Sequence, residues 1–282
     1  MEKQKRVMAV HDISCFGKCS LTVALPIISA AGLEAVALPT AVLSTHTGGI
    51  SGYTWRDLTE DISPIAEHWK SLDLKFDAIY TGYLGSFRQL ELVGDIFGAF
   101  RPEDGYIIVD PVMADNGALY PGFSDDFPKG MAGLCSKADI ILPNMTEAAL
   151  MLGEEYRPEP YEPGYVDGML KKLSGLGPKK VVLTGVSFEP GRLGAACYDA
   201  DTGRTEYCMD RRVEGSYHGT GDVFASAVTA AVVRGLPLDK AAEIAVHFTV
   251  ESIERTLKAG TDRRFGVNFE ESLPGMMREM GL

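Results

Sequence analysis

The segment Gly219-Thr220-Gly221-Asp222 runs straight into the apolar, small-residue stretch Val223-Phe224-Ala225-Ser226-Ala227-Val228. The glycines free the backbone to turn several N–H groups toward one point. At a helix start, those groups and the positive end of the dipole favour an anion such as phosphate. Asp222 is then either a plain capping carboxylate or a base held beside that anion. Two more carboxylates follow short apolar runs: Asp110, in Asp110-Pro111-Val112, closes 106–109, and Glu147, in Pro143-Asn144-Met145-Thr146-Glu147, follows 140–142. Taken singly, Asp110 is a turn residue and Glu147 a helix-start acid. Taken together they suit Mg²⁺, which is commonly held by one or two carboxylates plus waters and substrate phosphates. Thr184-Gly185, after the run 181–183, adds a hydroxyl and a close backbone approach for a nucleotide.

Two glycine-rich stretches carry no such chemistry. Gly17-Lys18-Cys19-Ser20 looks like the end of a phosphate-binding P-loop, but Cys19 stands where the Mg²⁺-ligating hydroxyl belongs and Asp12 where the leading glycine belongs. Gly48-Gly49-Ile50-Ser51-Gly52 lacks the spacing of a dinucleotide fingerprint, which disfavours a Rossmann dehydrogenase.

The elements that must position these residues alternate along the chain. Short, mostly β-branched runs at 6–10, 35–43, 78–80, 106–109, 140–142 and 181–183 predict strands, most of them buried on both faces. Between them, amphipathic stretches at 58–72, 87–100, 146–152 and 165–173 predict helices. Such β-α alternation gives a largely parallel sheet with helices on both faces, and ligands gather at the carboxyl ends of its strands. After 183 the rhythm changes to an antiparallel edge hairpin, 194–199 and 205–210, turned by Asp201-Thr202-Gly203. Helices at 223–234 and 239–257 follow, separated by Gly235-Leu236-Pro237, and a last helix is predicted over 269–280. The proline-rich loop 157–164 is the one candidate linker, yet the alternation continues past it.

The 282 residues carry 27 Lys+Arg against 39 Asp+Glu, a net charge of −12, and no basic block long enough to track a nucleic-acid backbone. Nucleic acid is therefore excluded as a partner, whereas a nucleotide held by backbone N–H groups and a metal is not. The apolar run 7–10 is too short for a signal peptide, and charged residues interrupt every other run, so no membrane segment is expected and the chain reads as cytoplasmic. Five cysteines without paired spacing indicate neither a disulfide framework nor a zinc site. Cys15 and Cys19 are expected to be buried thiols; the alternative is two ligands on one helix face.

Six ordered elements carry a wider likeness: Arg6-Val7-Met8-Ala9-Val10, Ser44-Thr45-His46-Thr47-Gly48, Thr81-Gly82-Tyr83-Leu84-Gly85, Asp110-Pro111-Val112-Met113, Pro143-Asn144-Met145-Thr146-Glu147 and Gly219-Thr220-Gly221-Asp222. In order and spacing the sequence resembles the pyridoxal (vitamin B6) kinases of the ribokinase-like superfamily. The second and third elements separate those kinases from the sugar kinases of the same fold. The resemblance implies a ribokinase-like three-layer α-β-α sandwich with an antiparallel edge hairpin, forming a single kinase domain over 1–282. The implied reaction is ATP-dependent phosphorylation of the 5′-hydroxymethyl group of pyridoxal, pyridoxine or pyridoxamine, by a homodimer that uses Mg²⁺, with a monovalent cation as an open addition. By the same resemblance Asp222 is the base, and Gly219, Thr220 and Gly221 form the anion hole. Asp110 and Glu147 manage the metal, while Asp110, Asn144, Glu147, Thr184, Arg211 and Thr220 face ATP. Thr47 and Tyr83 line the ring pocket, and 210–218, with Arg211 and Arg212, matches the lid position. Asp12 departs from the serine that many such kinases place there. A carboxylate at that point favours a protonated ring nitrogen or an amine, so it bears on the substrate together with Asp222. Two other readings stay open: a hydroxymethylpyrimidine kinase of the same fold, and a non-catalytic B6 or nucleotide binding protein.

Overall fold

Val7, Met8, Ala9 and Val10 offer water nothing to bond, and the strand they open is buried on both faces. A computed structural model describes residues 3–282. In chain order its first half holds β1 (Arg6–Ser14), α1 (Leu21–Ala30), β2 (Glu34–Leu43), β3 (Trp55–Asp57), α2 (Thr59–Ser71), β4 (Ala78–Thr81), α3 (Phe87–Phe100) and β5 (Tyr106–Val109). A two-residue hairpin, β6 (Ala114–Asp115) and β7 (Ala118–Leu119), precedes α4 (Phe127–Cys135), β8 (Ile140–Ile141), α5 (Met145–Leu152) and α6 (Pro163–Ser174). The last third holds β9 (Lys180–Val186), β10 (Arg192–Asp199), β11 (Arg204–Arg211), α7 (Thr220–Val233), α8 (Leu238–Ala259) and α9 (Leu273–Glu279).

One nine-stranded sheet runs in the order β11-β10-β9-β8-β5-β4-β1-β2-β3. From β2 to β9 every pairing is parallel; β10–β11 at one edge and β3 at the other pair antiparallel. Successive strand residues serve opposite layers: Tyr80 and Ile108 pack with α1, α7 and α8, while Ile79 and Ile107 pack with α2 to α6. The fold is thus the three-layer α-β-α sandwich expected, with the antiparallel edge hairpin in place.

Several elements differ from the sequence reading. Strand β1 continues to Ser14, paired with β2 through Leu43, so Asp12 lies inside it, at an irregularity in the register between His11 and Ile13. Strand β9 continues to Val186 because β10 pairs along it, so Thr184 and Gly185 are strand residues. Helices α1 and α4 were not read as such, nor were β3 and the β6–β7 hairpin. The predicted helix 269–280 is a 3₁₀ turn, Glu270–Ser272, followed by the shorter α9, which starts with Pro274 in its first turn. Cys15 and Cys19 share no helix: both lie between β1 and α1, where Cys15 is exposed and Cys19 half-buried. The buried-thiol expectation fails for Cys15 because the chain leaves the sheet there. Among the described residues no helix is long and apolar enough to cross a membrane.

Helix α7 is buried around its whole circumference from Val223 to Val233, and its small residues let it lie close on the sheet with α1 and α8 beside it. Ala227→Leu adds three carbons at a fully buried position. It is expected to cost about 1–3 kcal/mol in urea unfolding; an unchanged midpoint would show slack in this layer.

Candidate active site

Each of the expected acids sits at the carboxyl end of a strand or at the start of α7. Asp12 nears the end of β1, Asp110 follows β5 directly, and Glu147 lies in the first turn of α5, just after β8. Asp222 occupies the first turn of α7, whose N-cap Gly219 has a left-handed backbone (φ 76°). A side chain at Gly219 would start 2.2 Å from the carbonyl oxygen of Lys18, so glycine is required there twice over. No side chain caps α7, which leaves its first N–H groups turned outward without an intrahelical acceptor.

The half-buried Asp222 is pushed up to about 7 by burial; a hydrogen bond from the Ser20 backbone N–H opposes that shift and the Asp12 charge adds to it. Asp12 is itself buried, and two hydroxyls hold it: Ser20 Oγ donates to Oδ1 at 2.6 Å and Ser14 Oγ to Oδ2 at 2.9 Å. Burial raises its pKa against those two bonds. Ser20 therefore links the two acids, through its N–H to Asp222 and its hydroxyl to Asp12. To do so it adopts φ 56°, an unusual conformation for a non-glycine residue. The sequence reading missed Ser14 and Ser20, although both flank Asp12 closely enough to have been candidates.

The second pair is Asp110 and Glu147. Asn144 and Glu147 form a capping box, in which Asn144 Oδ1 accepts from the N–H groups of Thr146 and Glu147, and Glu147 Oε2 accepts from the Asn144 N–H at 2.9 Å. Glu147 Oε1 accepts from the Met113 N–H at 3.1 Å, which ties α5 to the segment after β5. Burial raises Glu147 despite these bonds. Asp110 is raised as well, by burial first and then by the charges of Glu147 and Asp222. Among the described residues no hydrogen-bond donor meets the Asp110 carboxyl, and no three His, Cys, Asp or Glu side chains converge into a metal cage. Two buried oxygen donors without a full cage fit a Mg²⁺ ion completed by phosphate and water.

Tyr83, half-buried after β4, lies between Trp55 (centroids 6.1 Å apart) and Phe123 (5.6 Å). Burial and the Asp12 charge push its hydroxyl up to about 12, so the ring belongs to the same cleft. Thr47 is exposed on the loop after β2. His46, whose role the sequence left undecided, is buried and pins that loop: its Nδ1 accepts from the Gly48 N–H at 3.1 Å, and its Nε2 bonds the Arg264 carbonyl. Gly17 accommodates the imidazole, since a Cβ there would lie 2.1 Å from His46 Cδ2. Thr184 bridges to Asn144 and its N–H donates to the Pro143 carbonyl at 2.9 Å, which sets it beside the α5 start. Thr220 Oγ1 donates to the Tyr217 carbonyl. Arg211 is exposed and pairs with Glu254 on α8, and Arg212 pairs with Glu159. Tyr120 was not singled out from sequence; burial raises its hydroxyl, and the charges of Glu147, Asp115, Asp110 and Asp222 add to the rise.

Comparison with known proteins fits this geometry. The family model of phosphomethylpyrimidine kinase matches residues 24–266. A Bacteroides thetaiotaomicron structure described as a phosphomethylpyrimidine kinase, crystallised with pyridoxal, superposes with a TM-score of 0.93 at 39% identity and covers 97% of this chain and 96% of its own. The pyridoxal kinase of Lactobacillus plantarum superposes with a TM-score of 0.89 at 32% identity over 98% of both chains. The pyridoxine/pyridoxal/pyridoxamine kinase of Bordetella avium is 27% identical over 271 residues, covering 89% of this chain and 85% of its own.

An acid whose pKa is higher folded than unfolded takes up protons on folding, so its stabilisation is complete at low pH and is lost as pH rises through the folded value. For Asp222 that window runs from about 4 to about 7. Asp222→Asn removes the buried charge, and it is expected to raise unfolding free energy by about 2 kcal/mol at pH near 8, with little change near pH 4. Urea unfolding at both pH values measures this, and equal effects at the two would contradict it.

Proposed function

Because the chain belongs to the phosphomethylpyrimidine kinase family, we propose that it transfers the γ-phosphoryl group of ATP to the hydroxymethyl group of a vitamin B6 vitamer. The whole of 1–282 would act as one kinase domain, working as a cytoplasmic homodimer. The observation that carries the reading is Asp222, a carboxylate raised toward neutrality at the uncapped start of α7, with Asp12 and Asp110 within electrostatic reach and Glu147 acting in turn on Asp110. A relative of 39% identity crystallised with pyridoxal supports the ring type.

Phosphoryl transfer asks the protein for alignment and charge stabilisation more than covalent help. In its ionised form Asp222 accepts the proton of the attacking alcohol, held in place by the Ser20 N–H. The N–H groups of Gly219, Thr220 and Gly221 face the transferring phosphoryl oxygens, where pre-aimed donors stabilise developing charge. Asp110 and Glu147 would hold Mg²⁺, which when bound neutralises phosphate charge. Asn144 and Thr184, joined across the strand ends, and Arg211, beyond them at the hairpin edge, line the nucleotide side. Tyr83 and Thr47 flank the ring, and Asp12 accepts from its most cationic atom.

Hydroxymethylpyrimidine kinase is the second reading, favoured by the name of the matching family. Release of ADP with pyridoxal, pyridoxine, pyridoxamine and hydroxymethylpyrimidine, compared as kcat/KM, separates the two; binding of a ring without any ADP release would leave only a binding protein. Asp222→Asn is expected to lower kcat by about 10² or more while substrate still binds, and wild-type kcat is expected to rise with pH through about 7. Full turnover in the variant would remove Asp222 as the base. Asp12→Ser is expected to lower the preference for pyridoxamine over pyridoxal by about tenfold, a change of about 1.4 kcal/mol; an unaltered ratio would free Asp12 of any role in selection.

A further inference from the structure

The segment 82–85, between β4 and α3, is irregular backbone, and Tyr83 on it meets Trp55 of β3 edge to face. A single buried amide ties this segment to its surroundings. Gln89, only 1% exposed in the first turn of α3, donates its backbone N–H to the N-cap Ser86 Oγ at 3.2 Å. Ser86 and Gln89 have the spacing of a capping box, whose return bond would run from the Ser86 N–H to the glutamine side chain. That side chain goes elsewhere. Its Oε1 accepts from the Gly85 N–H at 2.8 Å, and its Nε2 donates to the Thr40 carbonyl at 3.2 Å and to Thr59 Oγ1 at 3.0 Å. Each partner bears on a wall of the ring cleft. Gly85 backs onto the Tyr83 ring, since a Cβ there would lie 3.4 Å from Tyr83 Cε1 and 3.7 Å from Trp55 Cζ2. Thr40 lies on β2, where Ala41 to Leu43 pair with β3 and Trp55 stands opposite Leu43, and Thr59 opens α2 just after β3.

We propose that Gln89 is a positioning residue for the ring substrate: its amide fixes Tyr83 against Trp55 and so sets the affinity for a flat aromatic ring. This role rests on the kinase reading of the site. Both Nε2 protons and the Oε1 acceptor are engaged, and a satisfied buried network holds one arrangement of the elements that it joins. Without the amide the Gly85 N–H loses its acceptor, and the backbone behind Tyr83 is free to shift away from β2 and β3.

The test is Gln89→Met in the full-length protein, a change that nearly keeps the volume and removes the amide, with pyridoxal and hydroxymethylpyrimidine as the rings. KM for the ring, and its Kd measured without ATP, are expected to rise about tenfold, while KM for ATP and kcat at saturating ring stay within about twofold. Gln89→Asn keeps a buried amide one carbon shorter, too short to span Gly85 and Thr40. It is expected to show the same split, and it decides the matter if the methionine variant does not fold. Equal rises in both KM values, or a lower urea midpoint with ring Kd unchanged, would leave Gln89 a purely structural residue and overturn the proposal. A wild type that binds neither ring would instead overturn the kinase reading, and the positioning role with it.

Discussion

Burial of four carboxylates at one rim is the constraint around which this molecule is arranged. Asp12, Asp110, Glu147 and Asp222 crowd one end of the sheet, and each is harder to ionise than a carboxylate in water because it is buried; the charges of Glu147 and Asp222 add to the rise at Asp110, and the charge of Asp12 adds to it at Asp222. The surrounding chain offsets part of that cost with donors. Ser14 and Ser20 hydroxyls serve Asp12, the Ser20 N–H serves Asp222, and three backbone N–H groups serve Glu147. Asp110 receives none of this relief. The cluster therefore stores unfavourable charge at the place where an incoming cation or a proton would release it.

The topology explains why four acids so far apart in sequence meet. Parallel strands all deliver their carboxyl ends to the same side, so β1, β5 and β8 each hand one acid to one rim. The fourth comes from α7, an element so apolar that it can lie only inside the layer, with its N-terminus beside the strand ends. Glycines fix the approach distances: Gly219 admits the Lys18 carbonyl and Gly17 admits the His46 ring. These are positions where a methyl group would push one wall of the cleft away from the other.

Much of this was legible in the residues. The strand 106–109 and the helix 87–100 are found at the same boundaries, because one is a pure apolar run between turn residues and the other a clean amphipathic repeat with Ser86 as its cap. Helix α1 was hidden by Pro26 and by the lack of a polar stripe in Leu21–Ala30, and α4 by two glycines and a proline in nine residues. Strands of two or three residues carry no period to read. In the site, Asp110, Glu147 and Asp222 were visible because each closes a run or opens a helix. The serines around Asp12 were not, since their role depends on the backbone angle at Ser20 and on which way β1 ends. The arginines of 210–218 were visible as charges only; their partners Glu254 and Glu159 lie 43 and 53 residues away.

The brace around the loop after β2 adds a matter of timing. His46 leans on the carbonyl of Arg264, Gly266 lies against the carbonyl of Gly17, and the Lys18 amine reaches Asn268 and Glu270. A growing chain that has left the ribosome only as far as α7 already owns all four acids, yet the walls that hold its first loops come from residues still unmade. Those walls close only once residues 264–270 have been made, so a copy translated only as far as α7 keeps its acids without the brace that fixes its first loops.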